Sequence, residues 1–250
     1  MPDAALTSLV DDLGSPDPAV RDDGAFSALA RLVRDGTLGV EDRAWLAGAM
    51  LERLHHPRVE ARAFAPLVLA ALVAGGSGDP AWVPAVTRWW VGERDLRGHD
   101  PELGWVHAVA HGADFYGACG AVGLGDPDEL LDALAARLVE PTDAVWHDQE
   151  EDRVAYAVAL VLTHPALDPG GAVAWLDRVR ALFDSGEPGP VPPHASNTMR
   201  ALRSLHVALG EQVLHDGRPV VVRHADTVRD AVADVLGVVT PWFWRPARTG

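Results

Sequence analysis

Apolar residues recur at helical spacing along almost the whole chain, strand-like alternation is nearly absent, and proline or glycine stands at most junctions. Such a chain folds as many short helices, each with one apolar stripe to bury. In 41–54, for example, Trp45, Leu46, Met50, Leu51 and Leu54 share one side. The spacing predicts helices over 4–13, 18–36, 41–54, 59–73, 81–91, 103–119, 127–138, 150–163, 172–183, 196–214 and 225–236. It adds a weak strand at 219–222 and a Gly/Pro-rich loop over 185–193.

Three of these segments open alike, at Asp17-Pro18, His56-Pro57 and Asp100-Pro101. The prolines are 39 and 44 positions apart, near the roughly 40–47 residues of a helix-pair repeat. The placement of Pro, Val and Arg resembles HEAT-type repeats. A helix pair with one apolar face cannot bury it alone, so pairs stack. The expected architecture is all-α: HEAT-like stacked helix pairs in a short curved solenoid, one helical domain over 1–250, its concave face lined by the second helix of each pair. A compact irregular bundle is the alternative.

Charge narrows the functional classes. With 21 Lys+Arg against 36 Asp+Glu the net charge is −15, which repels polyanions and anionic lipid, so no nucleic-acid or membrane partner is expected. The single cysteine, Cys119, excludes an internal disulfide or a multi-cysteine metal site and reads as a small buried hydrophobe. The first residues lack a basic n-region, and the longest apolar run, about 64–76, is too short to span a bilayer, so the expected compartment is the cytoplasm. No phosphate loop, dinucleotide fingerprint or nucleophile elbow is present. Trp242 and Trp244 are expected to dock the C-terminal tail.

One constellation carries chemistry. His107, His111 and Asp114 stand at i, i+4 and i+7, one stripe of a helix, with small residues Gly104, Ala110 and Ala118 beside them. Three readings stand. Two imidazoles a turn apart, with Asp114, could bind a divalent metal such as zinc, although Ala108 stands where a zinc protease has glutamate. A His–Asp pair could bind a ligand or exchange protons near neutral pH without metal. Or the histidines fix helix packing. Upstream, Glu93 and Arg97 could form a local ion pair beside Asp95, or Arg97 could be an anion-binding fork. Downstream, the acidic run 147–152 suits a helix N-terminus. Alternatively Glu151 or Asp152 faces the histidines across a groove, with Arg153 balancing charge.

At these residues the sequence resembles the bacterial domain-of-unknown-function family 2785. The resemblance is carried by Glu93-Arg94-Asp95-Leu96-Arg97-Gly98 and by the run from Gly104 to Asp114. Arg62-Ala63-Phe64 and Glu151-Asp152-Arg153 support it. Ala63 stands where the family usually has serine, and Phe115 where Leu or Met is common. The resemblance implies an all-α fold and one site shared by Arg62, Arg97, Trp105, His107, His111, Asp114 and Arg153; it implies no activity. The leading expectation is a helical-repeat protein that binds a small-molecule or peptide ligand in a polar groove, without a cofactor. A metal-dependent hydrolase using His107, His111 and a carboxylate is one alternative. A protein-interaction scaffold with structural histidines is the other.

Overall fold

The computed structural model of the chain describes residues 3–187 and 189–243. Short polar side chains start several helices. Asp3 Oδ1 accepts from Leu6 N at 2.7 Å to cap α1 (Ala4–Asp12). A π-helical stretch, Ala19–Phe26, runs into α2 (Ser27–Arg34). Then come α3 (Val40–Arg53), α4 (Val59–Arg62) and α5 (Phe64–Ala74). After a 3-10 turn at Pro80–Trp82, α6 (Val83–Gly92) leads to a two-stranded hairpin, β1 (His99–Asp100) and β2 (Gly104–Trp105). Next are α7 (Ala108–Val122), α8 (Pro127–Val139, capped by Asp126) and α9 (Glu150–Val161). The chain continues with α10 (Gly171–Ala174), α11 (Leu176–Asp184) and α12 (Pro193–Gly210). A second hairpin, β3 (Leu214–His215) with β4 (Arg218–Pro219), precedes α13 (Ala225–Val239).

The architecture is a short all-α solenoid of stacked helix pairs. Helices α5, α7, α9 and α12 lie side by side as an inner row, each packed chiefly on its neighbours in the row. Helix α3 closes one end on α5, and α13 closes the other on α12 and α11. Helices α6, α8 and α11 form the outer row. Buried apolar side chains from Leu6 to Leu236 make one connected core. Helix α5 is apolar nearly all round because it is covered on most sides, as an interior helix must be. No described helix is long and apolar enough to cross a membrane.

Glycine sets how closely the inner row packs. A methyl group at Gly120 would strike the Val161 backbone of α9, and one at Gly112 the Trp90 indole of α6. The small residues of α7 therefore serve close helix contact.

Four expectations are corrected. The helix expected from residue 103 starts at Ala108, because Asp100 Oδ1 accepts from Glu102 N and Leu103 N and closes a turn, and Gly104 follows at φ 69°. Pro101 thus lies in a hairpin and opens no helix. The helix expected to reach 214 ends at Gly210, since Leu214–His215 pairs with Arg218–Pro219. Trp242 is exposed rather than docked; Trp244 lies outside the described residues.

Candidate functional site

The segment between α6 and α7 is held by charged forks. Arg62 at the end of α4 forks onto Glu93, Nε to Oε2 at 2.5 Å and Nη2 to Oε1 at 2.8 Å. Burial alone would raise the Glu93 carboxyl, but Arg62 and the backbone N–H groups of Asp95 and Arg94 outweigh it and hold it below its usual value. Arg97 forks onto Asp95 at 2.9 and 2.6 Å and reaches Asp100 at 2.5 Å. From the other side, fully buried Arg21 donates to the carbonyls of Leu103 at 2.6 Å and Trp105 at 3.2 Å. The hairpin is thereby pinned to the N-terminal helices.

His107 caps α7 in the left-handed region, φ 46°, with its N–H on the carbonyls of Arg97 and Gly98. Its ring lies 4.3 Å from that of Trp105, which is 44% exposed and is met edge-on by His99 at 4.9 Å. One turn on, His111 donates from Nδ1 to Ala63 O at 3.1 Å and meets Phe64 edge-on at 4.7 Å. It is only 7% exposed, and burial pushes its pKa down to about 3. Burial also lowers His107, against the opposing pull of Asp148. Asp114, a further turn along, takes Arg153 Nε at 3.0 Å and a second, closer contact from Nη2. Burial raises the Asp114 carboxyl and Arg153 opposes that rise.

The first turn of α9 fans out to three neighbours. Arg153 goes to Asp114 on α7. Glu151 Oε1 takes Arg200 Nη1 of α12 at 2.8 Å, and Asp152 Oδ1 takes the Ser204 hydroxyl of α12 at 2.5 Å. Glu150, only 1% exposed, turns to the hairpin side. Its Oε2 accepts from Asp148 N at 2.8 Å. Its Oε1 faces His107 Nε2 at 3.8 Å, and neither atom has a hydrogen-bond partner. That gap is too wide for a hydrogen bond. Gly98 makes room for this arrangement, since a methyl group there would run into the Asp148 and Glu150 carboxylates. Gln149, which caps α9, is also left-handed at φ 66°. His224 does the same ahead of α13, so left-handed caps recur in the fold and do not by themselves mark the site.

The residues singled out in the sequence therefore separate. Trp105, His107, Asp114 and Arg153 gather at one end of the inner row, with His111 beneath them. Arg97 and Asp95 are paired with each other and with Asp100, so Arg97 is not a free anion fork. The expected Glu93–Arg97 pair is replaced by Glu93–Arg62, because the chain turns outward after Glu93 instead of continuing helical. Arg62 and Glu93 line a different cavity, with His55 and His56. Glu151 anchors α12. Among the described residues no group of three or more His, Cys, Asp and Glu side chains could hold a metal ion. Cys119 is buried and its thiol is pushed up to about 12 by burial. Sequence reasoning missed Glu150, Gly98 and Arg21. Glu150 looked like one helix-start acid among several, and nothing in the sequence ties Arg21 to a hairpin 82 residues away.

Residues 49–207 match the model of a family described as "Protein of unknown function (DUF2785)". No curated protein matches the sequence significantly. Among solved structures the chain is similar to two engineered proteins from a structural genomics consortium. One has 15% identity, TM-score 0.42 and coverage of 98% of this chain and 100% of that one; the other has 16%, 0.43, 96% and 100%. A designed armadillo repeat protein is similar at 14% identity and TM-score 0.38, covering 94% of this chain and 100% of that one.

Proposed function

The chain belongs to the DUF2785 family, and from that starting point we propose that it is a helical-repeat binding protein for a small or peptidic ligand seated at Trp105, His107 and Glu150. One observation carries the reading: two buried polar atoms, His107 Nε2 and Glu150 Oε1, face each other at 3.8 Å without partners. A buried polar group left unpaired costs about 1–3 kcal/mol, so such a pair needs a compensating role. His107 Nε2 has no partner, and in the tautomer protonated at Nδ1 it is an acceptor. Glu150 Oε1 is an acceptor too. Two facing acceptors call for a donor, so the ligand brings an amine, amide or hydroxyl to them and lays an apolar body on the exposed Trp105 ring. Both cationic side chains proposed for an anionic ligand, Arg97 and Arg153, are already spent on aspartates. This favours a donor-bearing ligand over an anion. His111, held by Ala63 and Phe64, keeps His107 in position and does not reach the ligand.

The test is ligand-detected NMR with a panel of free amino acids, dipeptides, primary amines and monosaccharides. Compounds that bind the wild type lose their signal with Trp105→Ala, whose fold is checked by circular dichroism. Binding unchanged by that substitution, or no binding by any compound, contradicts the proposal. A metal-dependent hydrolase is not favoured, because Asp114 is committed to Arg153 and His111 to Ala63.

A further inference from the structure

A cavity lies beside the Arg62–Glu93 fork. It holds about 460 Å³, within the roughly 300–1,000 Å³ of small-molecule sites. Its apolar wall is Leu54, Ala85 and Trp89, and its rim carries Arg88, His55, His56 and Arg94. None of Trp105, His107, His111 or Asp114 lines it.

Three features of this cavity are unusual for a chain of net charge −15. First, the rim is locally basic. Arg62 is neutralised by Glu93 and Arg94 by Glu140, but Arg88 has no ion pair among the described residues. Second, Arg88 is not there to cap the end of its own helix. The carbonyls of Trp90 and Val91 near the end of α6 are already taken by buried Arg137. Third, Trp89 is 9% exposed and its indole N–H, a donor only, has no acceptor.

We propose that this cavity binds a small organic anion, an aromatic or aliphatic carboxylate, with Arg88 as its counter-charge, the Trp89 N–H as a donor and Leu54 and Ala85 against its apolar body. An unpaired guanidinium and an unspent indole N–H both call for acceptor oxygens, and a carboxylate supplies two. Arg88 stands on the ridge between this cavity and another lined by Asp128 and Asp132. Glu129 lines that second cavity too; Asp132 is taken by Arg178, and Arg88 has no ion pair with Asp128 or Glu129 among the described residues.

Calorimetry with 2-naphthoate and its neutral isostere 2-naphthamide tests this directly. The wild type binds naphthoate one-to-one and prefers it over the amide by about tenfold, as one charge-assisted contact permits. Arg88→Gln abolishes that preference. Trp89→Phe weakens both compounds and keeps the preference. Trp105→Ala changes neither, which separates this cavity from the site around His107. Equal binding of acid and amide, no binding of naphthoate at millimolar concentration, or a preference that survives Arg88→Gln each overturns the proposal.

Discussion

At the scale of single residues, burial decides what each histidine can do. His111 is sealed and neutral, with its pKa near 3 in the folded chain against about 6.5 when unfolded. Below the unfolded value the denatured state binds a proton that the folded state refuses. Stability from this residue is therefore complete above about pH 6.5 and lost as pH falls toward 3. His111→Gln keeps a donor for the Ala63 carbonyl but does not titrate. Denaturant unfolding of the variant is expected to lose less stability than the wild type between pH 7 and 4. An identical pH dependence in both proteins would mean that His111 is not the buried neutral group described. The comparison cancels the change in overall charge that both proteins undergo. Arg21 acts at the same scale, its guanidinium over the Phe64 ring at 5.0 Å while it holds the Trp105 hairpin.

At the scale of elements, the inner row is set by glycine and the helix starts by turn chemistry. Gly120→Ala presses a methyl group into the α9 backbone and is expected to cost about 1–3 kcal/mol by overpacking. Gly48→Ala, on the exposed side of α3 with nothing within 4 Å, is expected to stabilise by about 0.5–1 kcal/mol. Thermal unfolding of the two variants reads both signs, and a neutral Gly120→Ala would contradict the close packing of α7 on α9. Helix interiors were legible in the sequence because apolar periodicity is a local signal, and 127–138 and 225–236 fall inside α8 and α13 as read. The start of α7 was not. Helical periodicity ran on through 103–107, while the Asp100 turn, Gly104 and a bond from Arg21 drew those residues into a hairpin. The stripe of His107, His111 and Asp114 survives that shift, since His107 becomes the cap of α7. Arg153 was expected beside the stripe, but the parts played by Ala63 and Glu150 were illegible, because they meet it only through stacking of α5, α7 and α9.

At the scale of the whole molecule, stacking helix pairs brings the starts of successive inner helices to one end, and that juxtaposition makes the proposed site. The loop before α7 supplies Trp105 and His107, and the first turn of α9 supplies Glu150 and Arg153. Each helix alone has only a polar N-terminus; two side by side have facing polar atoms without partners in a buried setting. In the proposed reading such an arrangement sacrifices stability for binding, the trade-off common at functional sites. Replacing Glu150 by Gln measures it. The amide oxygen keeps the Asp148 N–H while its NH₂ faces His107 Nε2, so one acceptor becomes a donor. The decisive measurement is denaturant unfolding of Glu150→Gln against wild type at pH 8, where His107 is neutral. A gain of about 1 kcal/mol in global stability is predicted; a loss of stability would contradict it, because Glu150 would then already be satisfied in the fold and no ligand would be needed to complete the site.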